Sequence, residues 1–528
     1  MAYGAMADSK RAARGVVATW IRLVAVTIIG LLQAPILFSK IAPAELGIWY
    51  LFFAVATFIS LSDLGLPSTV GRAVSFLRGR AQSRPDSSDR QLLEIYRSVT
   101  LSEIYTSALV GTAVLGVAIA LLTFPAALLY FARALPGGPS PAALNGPLVI
   151  FLAGAVLNLV AAIPGACLSG CGEVAIDNGV RTAASAIGFA LIWIFVSVYR
   201  SLSCLCVIYA IQGLLSLLAS HLALVWRRRL PGAQMRVNLA LVLGMYRESA
   251  PIFTSRIGGW LTVEATLLIA GYYLGSARLA DFGLLRQMVA IGASVVAAIP
   301  IAISPHASAA HAAGDGEKVR NLYLAALRYA LAADVLWTLG LLLWAPRVIG
   351  LLVGEQHFLG MAVLVPLALA SLLELHAMTH AFFVWNVGRW PFVPSTTAGG
   401  ILNLLLGSAG CTLSGYPGLA WGSVAAQALT GYWYQVAYAL RHLGITFAHY
   451  LRSTLLRTAA YAAALAVAGF GIRALVSPIL AGDRYSAMVG AAAAILATAL
   501  VAGALAWKVM FTPDDRGYFR GLMRFSSR

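Results

Sequence analysis

Charge is what this sequence has least of. Only 11% of its 528 residues are Asp, Glu, Lys or Arg and 60% are hydrophobic, whereas a soluble domain carries about 25% charged residues. No long polar stretch remains, which excludes a soluble enzyme and a single-anchor protein with a large water-exposed domain. Cysteines are few. The five (Cys167, Cys171, Cys204, Cys206, Cys411) lie in or beside apolar runs with no His or Asp at ligand spacing, so they read as small packing residues, and neither a metal nor a cofactor is expected. A Gly-x-x-x-x-Gly-Lys-Ser/Thr loop is missing, so the chain does not hydrolyse nucleotides itself. The only adjacent acidic pair, Asp514-Asp515, sits in the C-terminal tail, which leaves no outward site where a membrane glycosyltransferase or ligase would hold a metal and a donor.

What is abundant is apolar sequence, with a mean hydropathy of +0.83. Fourteen runs are long enough to cross a bilayer, from about 15–38 and 46–76 through 251–274 and 419–440 to 486–508. The expected fold is an all-α integral membrane protein with about 14 transmembrane helices. The first run follows basic residues and leads to Ala42-Pro43-Ala44, but it is longer than a secretory core and carries Arg22, so it reads as an uncleaved span. An even number of spans puts both termini on one side. With that side cytoplasmic, inner segments hold 26 of the 37 Lys and Arg residues and outer segments 7; Arg22, Arg72, Arg256 and Arg286 lie within spans. The net charge of +17 therefore records topology, not nucleic-acid binding. The reading is a multi-pass membrane protein with both termini cytoplasmic.

An internal repeat organises the chain. Arg22 precedes Ala44-Glu45-Leu46-Gly47, and Arg256 precedes Ala280-Asp281-Phe282-Gly283; Gly172 and Gly388 close the fourth span of each half. A basic loop, Arg78 to Arg97, is present only in the first half. The expected organisation is a six-helix lobe over 1–229, a second over 230–445, two additional spans within 446–508, and an amphipathic cytoplasmic tail over 509–528 in which Arg516, Arg520 and Arg524 share one face. The lobes would face each other across a central cavity. Val237 to Tyr246 reads as a short surface helix joining them, and Pro136 to Pro141 as a turn-rich connector.

An ionised side chain in hydrocarbon needs a purpose. Arg22 and Gln33 fall on one face of the first span, three turns apart. Arg256 and Glu264 share span seven, about 12 Å apart along its axis, too far to pair. Arg22 and Arg256 occupy corresponding places in the two repeats, and two guanidinium groups converging on a cavity suit phosphate oxygens. The candidate substrate-binding set is Arg22, Gln33, Asp63, Arg256 and Arg286; Glu264, Asp334 and Glu374 are candidates for ion coupling. The structural alternatives are definite too. Arg72 snorkels to the inner surface, Arg286 does so to the outer one, Asp63 neutralises Arg22, the three carboxylates are helix-packing partners, and His376 and His380 are core histidines without further ligands.

Several motifs resemble polysaccharide flippases of the multidrug/oligosaccharidyl-lipid/polysaccharide exporter superfamily. They are Ala42-Pro43-Ala44-Glu45-Leu46-Gly47-Ile48-Trp49, Leu61-Ser62-Asp63-Leu64-Gly65-Leu66 with Arg72, Gly314-Asp315-Gly316-Glu317-Lys318-Val319-Arg320, and Gly415-Tyr416-Pro417-Gly418-Leu419-Ala420-Trp421-Gly422. The likeness runs from about residue 15 to 445. It implies two six-helix lobes with alternating access that move a polyprenyl-pyrophosphate-linked oligosaccharide between leaflets, with Arg22 and Arg256 at positions that hold pyrophosphate or acidic sugars. The expected partners are that lipid-linked oligosaccharide, membrane lipids, and a polymerase and glycosyltransferases of the same pathway, without nucleic acid. A small-molecule antiporter of the same superfamily, dependent on the carboxylates, and an integral-membrane glycan ligase or polymerase are the alternatives.

Overall fold

The computed structural model describes residues 2–61, 63–80, 99–134, 140–227, 236–385, 391–513 and 515–516. Arg84 to Arg97, Pro136 to Pro139, Gly388 and the tail beyond Arg516 lie outside the described residues. Among the described residues all regular structure is helical. The protein is an all-α integral membrane protein, and among the described residues 13 helices are long and apolar enough to span a bilayer. The run at 419–440 is not among them, because it is interrupted at Thr430 into Tyr416–Leu429 and Gly431–His442.

Two compact units divide the chain, one of Met1–Trp260 with Leu274–Ala280, the other of Leu261–Tyr273 with Asp281–Arg528. The first contains α1 (Ala2–Lys40), α2 (Pro43–Leu61), α3 (Leu66–Arg80), α4 (Leu101–Ala134), α5 (Pro141–Gly170), α6 (Val174–Tyr199), α7 (Leu202–Trp226) and α8 (Leu239–Val263) as far as Trp260. Hydroxyls start two of them: Ser140 caps α5 and Ser201 caps α7 through the amides of Ala143 and Cys204. One face of α3 (Leu66, Val70, Ala73, Val74) packs with Ile104 and Tyr105 of α4 and Ile163 and Cys167 of α5. The expected surface helix at 237–246 does not stand alone, since Leu239 onward is continuous with span seven as α8.

The second unit contains α9 (Ala265–Leu274), but for its last residue, then α10 (Leu279–Ala312) from Asp281 onward, α11 (Gly316–Leu352), α12 (Met361–Trp385), α13 (Val393–Ser414), α14 (Tyr416–Leu429), α15 (Gly431–His442), α16 (Phe447–Leu480) and α17 (Arg484–Met510). The Gly314-Asp315-Gly316 motif serves local geometry: Gly314 turns at φ +73 and the Asp315 carboxylate accepts from the Lys318 amide at 2.9 Å, capping α11. The last two spans belong to this unit, since Tyr461, Leu465, Ala502, Ala506 and Met510 share a core with Leu331, Ala332 and Val335 of α11. Beyond α17, Asp515 is buried and accepts from Arg328 Nε and Nη2 at 3.0 Å each, from the Tyr329 hydroxyl at 2.8 Å and from the Thr512 amide and hydroxyl at 2.8 Å each.

Candidate substrate and ion sites

The second span of the sequence is broken where its charge sits. Between α2 and α3, Leu64 adopts φ +50 and Gly65 φ +80, a left-handed pair that glycine permits and leucine resists. Asp63 holds this elbow. Its Oδ1 accepts from the Gly65 amide at 2.7 Å and from Arg256 Nη1 at 2.6 Å. One turn along α8, the Trp260 indole donates to the Thr57 hydroxyl at 3.1 Å and the Ala54 carbonyl at 3.3 Å. Asp63 is thus the partner of Arg256 and not of Arg22. The Arg256 side chain keeps 41% of its surface open beside a carboxylate that keeps 13%, so the pair is anchored on one side and accessible on the other.

Arg22 has a different neighbourhood. It is half-buried and donates to Asn178 Oδ1 at 3.3 Å, and the Asn178 amide donates in turn to Thr19 Oγ1 at 2.9 Å. Arg181 pairs with Asp177 at 2.8 Å, and both lie close enough to Arg22 to act on it electrostatically. Gln33 is half-buried further along α1 and makes no hydrogen bond among the described residues. Arg22 and Arg256 were expected one to each lobe, yet both fall in the first unit, because α8 joins that unit up to Trp260. Arg72 is exposed on α3 and lines a pocket instead of merely ending a span. Around Arg22 and Arg256 the first unit holds Arg22, Arg181 and Arg256 against Asp63 and Asp177, a positive excess.

Around Glu264 of the second unit the local balance is inverted. Glu264 occupies the interruption between α8 and α9, and Arg286 of α10 reaches its Oε2 at 3.4 Å. Arg286 therefore pairs inward with 12% of its side chain exposed, and it does not snorkel. Backbone carbonyls freed by the break are satisfied by Asn403 of α13, whose amide donates to Leu261 and Thr262 at 2.8 and 3.1 Å. Glu374 of α12 lies within electrostatic reach of Arg286 and Glu264, and Asp334 of α11 within reach of Glu374. Asp334 is buried, and its Oδ2 has no hydrogen-bond partner among the described residues. Three carboxylates face one guanidinium here. All four ionised would leave excess negative charge in an apolar surrounding, a state that calls for a proton or a cation.

His376 and His380 stand in the core of the same unit. Their Nε2 atoms are 3.1 Å apart, Tyr323 meets His380 Nδ1 at 2.5 Å, and Tyr450 and Tyr432 meet His376 at 2.5 and 3.0 Å. Every ring nitrogen is engaged, which suits a packed polar core.

No family model and no curated protein matches the chain. Solved structures do. An inward-facing multidrug resistance MATE family transporter of the MOP superfamily superposes with a TM-score of 0.62 at 17% identity, over 81% of this chain and 99% of the other. The lipid II flippase MurJ in an inward closed conformation gives a TM-score of 0.65 at 11% identity, over 94% and 98%. The chain shares the fold of these two solved structures. A MOP-type outward-facing MATE structure also matches, with a TM-score of 0.56 at 15% identity over 83% and 97%. This shared fold is the frame on which the basic and acidic clusters are mounted.

Proposed function

We propose that the chain is a flippase that moves polyprenyl-pyrophosphate-linked oligosaccharide repeat units from the cytoplasmic to the periplasmic leaflet of a bacterial inner membrane, for surface polysaccharide biosynthesis. The observation that carries this reading is the guanidinium excess of the first unit, with Arg256 half open beside Asp63. A diphosphate and a hydrated sugar cannot enter hydrocarbon without partners, since an uncompensated buried charge costs several kcal/mol or more. Arg22 and Arg256 supply planar donors that replace lost water on phosphate oxygens, Gln33 offers a neutral donor and acceptor, and Asp63 positions Arg256. The lipid tail stays in the bilayer. Glu264, Asp334 and Glu374, with Arg286, form the coupling-ion site. Two six-helix lobes working by alternating access, the two added spans, cytoplasmic termini and a pathway polymerase and glycosyltransferases as partners belong to the same reading.

The test is export in a deletion strain complemented with Arg22→Ala or Arg256→Ala. Each is expected to abolish surface glycan, leaving lipid-linked repeat units facing the cytosol and the protein inserted. Normal glycan in both variants overturns the assignment. The acidic cluster favours a second reading, export of organic cations. That reading gains if the arginine variants keep dye efflux while Glu374→Gln loses it.

A further inference from the structure

The polar face of α3 carries a pocket that the transport reading leaves unassigned. Ser68, Arg72 and Ser75 recur at i, i+4 and i+7, on the side of the helix away from its buried Val70 and Val74. With Ser169 and Gly170 of α5 and Gly71 of α3 they line a cavity of about 580 Å³. The floor is backbone. A Cβ at Gly170 would stand 2.7 Å from the Gly71 carbonyl oxygen, so the two helices meet there only because residue 170 is glycine.

The lining is selective by charge. Arg72 donates weakly to the Thr69 hydroxyl at 3.4 Å and has no carboxylate within ion-pair distance among the described residues. In this it differs from Arg181, Arg256, Arg286 and Arg328, each of which has one. Ser75 spends its hydroxyl on the Gly71 carbonyl at 2.9 Å, while the Ser68 and Ser169 hydroxyls make no hydrogen bond among the described residues. An unpaired guanidinium and two uncommitted hydroxyls repel cations and offer donors to an anion with several oxygens.

We propose that this pocket is a phosphate-binding site for a phosphate ester. The pocket is an open groove with Ser68, Arg72 and Ser75 exposed along it, which leaves room for the group that the phosphate carries. The same chemistry can come from a bilayer phospholipid headgroup, from a diphosphate carrier lipid or from free phosphate. The site does not depend on which glycan, if any, is transported.

Full-length protein in detergent, titrated separately with phosphatidylglycerol, polyprenyl diphosphate, inorganic phosphate and uncharged diacylglycerol, tests this by native mass spectrometry and ³¹P NMR. At least one phosphate-bearing probe is expected to lose about tenfold or more in affinity in Arg72→Gln, the loss that follows from removing a charge-assisted contact, and the probe affected names the source. Diacylglycerol should bind both proteins alike. Equal binding of every phosphate probe to both proteins overturns the proposal, as does Arg72-dependent binding of diacylglycerol. Should Arg72→Gln lose monodispersity, the Ser68→Ala/Ser169→Ala double variant is read instead. A severalfold loss supports the site and unchanged affinity refutes it.

Discussion

The two units solve one problem, polar chemistry inside an apolar protein, with opposite signs. In the first, Arg256 pairs with Asp63 and Arg181 with Asp177 while Arg22 bonds to an uncharged amide; in the second, Glu264, Glu374 and Asp334 cluster about Arg286. Each unit also breaks a helix at an acidic residue, but by different means. Asp63 stabilises its own elbow through the Gly65 amide, whereas the break at Glu264 borrows Asn403 from another helix, which leaves the Glu264 carboxylate available to Arg286. Under the proposed function this difference is a division of labour: the arginines of the first unit meet the anion, and the carboxylate cluster of the second takes up a proton or metal cation.

The largest effects should separate these roles. Arg22→Ala and Arg256→Ala are expected to weaken binding of a lipid-linked diphosphate by roughly 10- to 100-fold, the scale of a lost charge-assisted hydrogen bond. Glu374→Gln and Asp334→Asn should leave that binding within about twofold while removing the response of transport in proteoliposomes to an imposed ion or pH gradient. Binding lost in the carboxylate variants, or a gradient response lost in the arginine variants, would erase the contrast between the units.

Much of this frame was legible beforehand, and the limits are instructive. Spans declare themselves because twenty apolar residues have no other use, and the charges within them stand out against that background. Pairing was not legible: Asp63 and Arg256 lie 193 residues apart, and nothing local distinguishes Arg256 from Arg22 as the partner. Breaks at Asp63, Glu264 and Thr430 were invisible because hydropathy averages across them. Asn178 and Asn403 escaped notice because they are uncharged, although an amide that satisfies a stranded backbone group is what a broken helix requires. The Gly415 to Gly422 motif was noticed for its resemblance. Its physical content is contact, since a Cβ at Gly418 would lie 1.9 Å from the Gly410 carbonyl oxygen and would drive α13 and α14 apart.

A second prediction concerns how far the acidic unit extends. Burial pushes the Asp515 carboxyl up, but bonds from Arg328 and Thr512 outweigh it and hold the group below its ordinary value. A depressed carboxyl contributes stability that is full above the unfolded value, about 3.9, and is lost as pH falls through the lowered folded value. The wild type should therefore lose Tm on acidification below about pH 4, and Asp515→Asn should already have lost about 3 kcal/mol at neutral pH by stranding Arg328. Thermal unfolding followed through the second unit's tryptophans measures this. If Asp515→Asn unfolds like the wild type at pH 7, the last two spans are not clasped to α11.

The smallest expected effect sharpens the contrast between the two breaks. Asn403→Ala removes the donor shared by the Leu261 and Thr262 carbonyls and should cost about 1–2 kcal/mol, visible as a modest drop in Tm. Because those carbonyls flank Glu264, the loss should also loosen the Glu264 to Arg286 pair and shift the ion or pH dependence of transport, with diphosphate binding untouched. Gly65→Ala in the first unit is the counterpart. It strains a residue at φ +80 by about 1 kcal/mol or more, and its damage should fall on diphosphate binding through Asp63 and Arg256, with no change in ion dependence. If both variants shift the same property, the breaks are hinges of one common motion and the assignment of one chemistry to each unit fails.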